Sequence, residues 1–290
     1  VYNIRDDTSQ GTKIWKRDLP GDVKGVLGFT LDYIYVGCSD GNLYKLDINT
    51  GNDAAGWTYD QSIYGELYEL AIDFTPGVNA TWFGSSNGIV YRVRNNDGTV
   101  TSQFQTEDYV TTAPWVLGGF SNPNKGSNDL YIPSLDGKLY CRTSANLYNI
   151  PDGWSGINGE YDAGSSITTW VWLHEEAGGF MVYFGTEDGR IIKLDSADGS
   201  LVWQFQAGGP IRSDPVVIPG YMSGVDDDYV YFGCDDSQVY AIKTSDKSLR
   251  SGWPIVTGGA VRSSPVFDGA NWRIYFTSTD GKTYCIYVGP

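Results

Sequence analysis

Cations are scarce in this chain, and three of them fall at one repeated place. Six short stretches, DVKGVL, SIYGEL, YVTTAP, SITTWV, PIRSDP and AVRSSP, each lead into an apolar run. The residue after the first apolar one is Lys24, Tyr64, Thr111, Thr168, Arg212 and Arg262 in turn. The next position holds Gly25, Gly65, Thr112, Thr169, Ser213 and Ser263, which are small or hydroxyl-bearing. Arginine offers a planar fork of donors that matches a carboxylate or a phosphate, so the chemistry this pattern points to is capture of a small anion or a peptide carboxylate. The competing reading is that Arg212 and Arg262 pair with nearby turn aspartates such as Asp188, Asp236 or Asp280. Both hold if one arginine is tied back and the other is free.

Bond-making chemistry has less to work with. His174 is the sole histidine, which excludes multi-histidine metal centres and disfavours a serine or cysteine nucleophile with a histidine base. In its setting, VWLHEEAGG, it reads as a residue at a loop edge. Asp226, Asp227 and Asp228 form a run that reads either as calcium ligands or as solvated charge, and its spacing lacks the alternation of a calcium loop. Asp47, Asn49 and Asp53 do alternate, yet they coincide with a recurring Asp-x-x-x-Gly turn. Cys38, Cys141, Cys234 and Cys285 lack close CxxC spacing and read as reduced core thiols. Trp115, Trp170, Trp172 and Trp272 could stack on sugar rings, although Trp170 and Trp172 alternate like packed strand residues. The residues indicate no catalytic set, metal or cofactor.

What must position these groups is a repeat. IYVGCSDGNLYKLD from Ile34 recurs as TWFGSSNGIVYRVR from Thr81, LYIPSLDGKLYCRT from Leu130, VYFGTEDGRIIKLD from Val182, VYFGCDDSQVYAIK from Val230 and IYFTSTDGKTYCIY from Ile274. The starts lie 47, 49, 52, 48 and 44 residues apart, a period that suits a four-stranded propeller blade. Each copy reads as a hairpin, with Asp-Gly or Asn-Gly in a two-residue turn that calls for positive φ at both central positions, and with Asp236-Ser237 as the weaker fifth case. Tyr44, Tyr91, Tyr140, Tyr240 and Tyr284 recur at one hairpin position and read as packing. A large aromatic follows each full interval: Trp57, Phe104, Trp154, Trp203 and Trp253. Trp15 stands alone at the other end.

These features predict an all-β fold, a six-bladed β-propeller of four-stranded antiparallel blades forming a single domain over 1–290. Trp15 suggests closure of the ring, with the segment 11–17 as the outer strand of the last blade. VYNI at Val1 echoes a third strand, so the first nine residues are either a spare extension or the trace of a longer array. In a propeller the six connections gather at one channel mouth, and the expected ligand-binding set is Lys24, Tyr64, Thr111, Thr168, Arg212, Arg262, Ser213 and Ser263.

The pattern apolar-YxG, DG, Y-x-apolar-D and G-x-x-x-W resembles the pyrroloquinoline-quinone-type propeller repeat of quinoprotein dehydrogenases and of the outer-membrane assembly lipoprotein. The resemblance runs from Gly11 to Tyr287, and it implies tryptophans that dock between neighbouring blades. The quinone enzymes are about twice as long and carry an adjacent cysteine pair; no Cys-Cys occurs here, so cofactor binding is not carried over. The resemblance therefore implies a non-catalytic binding or scaffold module of the cell envelope or extracellular space. The alternative is an enzyme, either a quinone-dependent dehydrogenase or a carbohydrate-active propeller.

A net charge of −15 argues against nucleic acid as a partner. No run of 18 apolar residues is present to span a membrane as a helix. The expected partner is a protein or a small anionic or peptide ligand at the channel mouth. Asn79-Ala80-Thr81 is a lone glycosylation sequon.

Overall fold

Short runs of alternating apolar residues bury a face only by pairing into sheets, because a lone strand leaves its backbone groups unsatisfied. In the computed structural model the regular secondary structure is almost wholly such sheets. The structure describes residues 1–7, 10–25, 27–57, 65–73, 79–116 and 129–290. Among these are six sheets of three or four antiparallel strands, with helix limited to a 3-10 segment at Asp152–Ile157 and a single turn at Gly220–Ser223. The four-stranded antiparallel sheet is the unit from which propellers are built, as the repeat predicts.

The chain divides into two compact units, Val1–Ser134 with Cys141–Pro151, and Leu135–Tyr140 with Asp152–Pro290. In the first unit, the first sheet is Gly28–Phe29, Tyr33–Gly37 and Leu43–Asp47, and the second is Leu67–Asp73, Ala80–Ser85, Ile89–Arg94 and Val100–Gln105. Tyr35 and Leu43 of the first sheet share a core with Leu67, Leu70, Phe83 and Tyr91 of the second. In the second unit, the fourth sheet is Trp172–Glu176, Gly179–Gly185, Arg190–Asp195 and Leu201–Gln206. The fifth is Val216–Ile218, Tyr229–Cys234, Gln238–Lys243 and Ile255–Val256, and the sixth is Val266–Asp268, Arg273–Thr277 and Thr283–Tyr287. Cores run from the fourth sheet to the fifth through Tyr183, Ile191, Val230 and Phe232, and from the fifth to the sixth through Tyr231, Val239, Ile274 and Phe276. Packing on both faces is why the central strands read as nearly continuous apolar runs.

The hairpin turns differ in type from the expectation. Gly41, Gly88, Gly137, Gly189 and Gly281 have φ between 76° and 89°, and Ser237 takes the same place at 69°, but the residue before each is not left-handed. Gly41 N–H bonds Cys38 O at 3.1 Å and Cys38 N–H bonds Asn42 O at 3.1 Å, which is a type I turn followed by a left-handed residue. The aspartate explains the choice. Asp40 Oδ1 accepts from the N–H of Asn42 at 2.9 Å, and Asp136 and Asp236 repeat the bond to Lys138 and Gln238. Its other oxygen takes the hydroxyl of the recurring tyrosine, as in Tyr44 to Asp40 and Tyr240 to Asp236, both at 2.6 Å.

Two further details correct the sequence reading. The strand Gln10–Lys16 pairs with Tyr2–Asp7, so VYNI supplies its partner, and the sixth sheet has three strands among the described residues. Trp15 nevertheless docks as the repeat demands. Its indole N–H bonds Ile48 O at 2.8 Å, as Trp154 bonds Ser196 O and Trp203 bonds Thr244 O, all three carbonyls at one repeat position. Gly51, at φ 71°, makes this possible, since a Cβ there would lie 2.6 Å from the Trp15 ring. Cys285 is exposed, unlike Cys38, Cys141 and Cys234.

Candidate functional site

In the second unit, the small residue of the connection into the fourth, fifth and sixth sheets clasps the sheet it enters. Thr169 Oγ1 accepts from Gly185 N–H at 2.8 Å, Ser213 Oγ from Gly233 N–H at 3.0 Å, and Ser263 Oγ from Thr277 N–H at 2.7 Å. Ser213 is fully buried and also donates to Ser263 O at 3.0 Å. These hydroxyls thus fix the backbone that carries the preceding side chain. Arg212 and Arg262 are exposed beside Ile211 and Val261, which are fully buried.

The second unit brings Arg212 and Arg262 onto one carboxylate. Arg212 Nε and Nη2 grip Glu187 at 2.8 and 2.6 Å, while its Nη1 donates to Asp235. Arg262 Nε and Nη2 hold the same Asp235 at 2.8 and 3.0 Å. The partners are therefore Glu187 and Asp235, one residue before the turn aspartates named from the sequence. Asp188 is taken by Arg190 and Asp280 by Tyr284. The signal is present in the repeat, where this position reads Ser39, Ser86, Leu135, Glu187, Asp235 and Thr279, acidic only in the two copies that face arginines. Hydrogen bonds donated to Glu187 hold the Arg212 pKa above its ordinary value, and those donated to Asp235 do the same for Arg262.

Charge in this chain of four is balanced, yet its donors are not all spent. Arg212 uses all three nitrogens, whereas Arg262 keeps Nη1, with its side chain 55% exposed. A second acidic group lies close by. Asp214 accepts from the Trp170 N–H and from Ser264 Oγ, each at 2.7 Å, and burial raises its pKa.

Residues 160–289 match the PQQ_2 family model, described as outer membrane protein assembly factor BamB. The matched stretch contains Glu187, Arg212, Asp235 and Arg262. The comparison with curated proteins found no match.

The other members of the predicted set behave differently. In the first unit, Lys24 pairs with Glu66 at 2.6 Å, Thr111 is half-buried, and Tyr64 lies outside the described residues. Thr168, in the second unit, donates weakly to Ile211 O at 3.4 Å. His174 sits on a strand rather than at a loop edge, with Nε2 2.8 Å from Asp228 Oδ2. Asp228 also accepts from Gly220 N–H, and Asp227 pairs with Lys243 at 2.7 Å, so two of the three aspartates serve structure. Asp47 caps its own turn through the N–H groups of Asn49 and Thr50, and Asp53 pairs with Arg17. Among the described residues no helix is long and apolar enough to cross a membrane.

Proposed function

We propose that the chain is a non-catalytic binding or scaffold module of the cell envelope, its sheets acting as the blades of one propeller domain. Its partner is a protein segment that presents a carboxylate to Arg262. The observation that carries this reading is the pre-ordered chain Glu187, Arg212, Asp235 and Arg262, which ends in an exposed guanidinium with an unused nitrogen. A fixed arginine loses little freedom on binding, so a modest contact still gives specificity. The match of residues 160–289 to a family described as an assembly factor supports a role in holding other proteins, and it supports the envelope as the location. In this reading Thr168 is a further member of the binding face of the second unit, and Ser213 and Ser263 are its supports.

The test is calorimetry with a panel of short peptides ending in aspartate or glutamate, run on the wild type and on Arg262→Ala. Binding that weakens about tenfold in the variant, with the melting temperature unchanged, is the expected result. Equal affinity for both proteins, or no binding across the panel, removes the reading.

A further inference from the structure

A cavity of about 660 Å³ opens in the first unit, with Phe29, Leu31, Tyr33, Tyr35, Lys45 and Asn95 in its lining. It lies within the range of volumes that hold small-molecule ligands. Its wall is apolar and open to solvent, since Phe29 is 75% and Leu31 94% exposed. Its base is a cation. Lys45 is 9% exposed, and its ammonium donates to Asn95 O at 2.9 Å. The rings of Tyr33, Trp57 and Tyr35 stand 4.1, 5.2 and 5.7 Å from it. Among the described residues no carboxylate forms an ion pair with it, and burial lowers its pKa.

The repeat itself shows what completes such a lysine. Lys193 in the second unit holds the same register, opposite Tyr183 as Lys45 is opposite Tyr35. It bonds the corresponding carbonyl, Thr244 O, at 3.0 Å, and lies 5.6 and 5.9 Å from the rings of Tyr183 and Trp203. There Glu176 supplies the counter-charge at 2.7 Å, and Tyr183 donates to the same carboxylate. Glu176 is available because its strand runs five residues, Trp172–Glu176, and stays paired to the end. The corresponding strand in the first unit stops after Gly28–Phe29, and the cavity lies where the chain turns at Thr30.

We propose that this cavity binds a small organic monocarboxylate with an apolar tail, its carboxylate pairing with Lys45 as Glu176 pairs with Lys193. A buried ammonium lacking a counter-charge gains most from an anion that brings one with it. The nearby amides are less available, because Asn79 Nδ2 donates to Asn96 Oδ1 at 2.7 Å and Asn95 Oδ1 accepts from Thr81. Asp32, exposed in the lining, opposes any anion there and a polyanion most strongly.

The test is calorimetric titration of the full chain at pH 7 with 4-phenylbutyrate and with its uncharged amide. The acid should bind at one site, and the amide about tenfold or more weaker. Lys45→Met should bind the acid at least about tenfold more weakly, and Asp32→Asn at least as tightly as the wild type. Should Lys45→Met fail to fold, Leu31→Asp at the exposed rim tests the same site, because it removes apolar wall and adds repulsion. Equal binding of acid and amide overturns the proposal. So does undiminished binding by Lys45→Met or Leu31→Asp, or no saturable binding of the acid up to about 10 mM.

Discussion

Glu176→Gln is the most informative single change in the second unit. Lys193 is 3% exposed at its side chain and Glu176 17%, so the 2.7 Å pair is largely shielded from water. Breaking a buried pair by removing one charge typically costs about 3–5 kcal/mol, because the survivor stays desolvated. Here Thr244 O and the rings of Tyr183 and Trp203 still hold the ammonium, and glutamine still accepts one hydrogen bond. The lower end, about 3 kcal/mol, therefore applies, equivalent to roughly a hundredfold more frequent local opening. Lys193→Met with Glu176→Leu removes both charges and should cost only about 1 kcal/mol, since an apolar pair of similar size replaces a buried ion pair with little loss. Hydrogen exchange at the amides of the paired strands Gly179–Gly185 and Arg190–Asp195 reads the opening directly. A single variant that changes protection less than about threefold, or a double variant as unstable as the single, would refute the reasoning.

Three other outcomes are expected. Trp154→Ala should destabilise the second unit by about 3–5 kcal/mol in denaturant melts, because the indole is fully buried and its N–H bond to Ser196 O at 2.9 Å is lost with it. The Tyr284 hydroxyl holds the Asp280 carboxyl at a pKa of about 2, so this aspartate favours folding above the ordinary aspartate value and loses that effect as pH falls toward 2. Carbon-detected titration of Tyr284→Phe should find Asp280 moved upward, toward the ordinary value. Of the four thiols, Cys285 should react fastest with a thiol reagent in the native protein, while Cys234, buried and pushed up to about 12, should react only on unfolding.

The fold is legible in the chain because its signals are local and repeated. Asp-Gly turns, alternating runs and a large aromatic per interval each specify a strand pair or a docking contact, and six copies average out the irregular ones. Turn type is harder to read because Asp-Gly fits two hairpin geometries, and the deciding bond, from the carboxylate to an N–H two residues on, depends on how the backbone bends. The two arginines are visible as exceptions among the connections. Their partners are not the recurring turn aspartates, since those are already committed to tyrosines or to Arg190. The Lys45 cavity leaves the weakest trace. A lysine in the YKLD stretch looks the same whether or not a carboxylate stands over it, and only the length of a neighbouring strand makes the difference.

The tyrosine-to-aspartate tie has a consequence for how such a chain tolerates change. Where the fourth copy has Ile192 at the tyrosine position, Arg190 grips Asp188 at 2.9 and 3.0 Å and the hairpin keeps its form. Each turn thus carries its own latch, and a latch of one chemistry can replace another without its neighbours adjusting. Damage at one copy stays confined there, which frees the remaining copies to drift toward separate tasks.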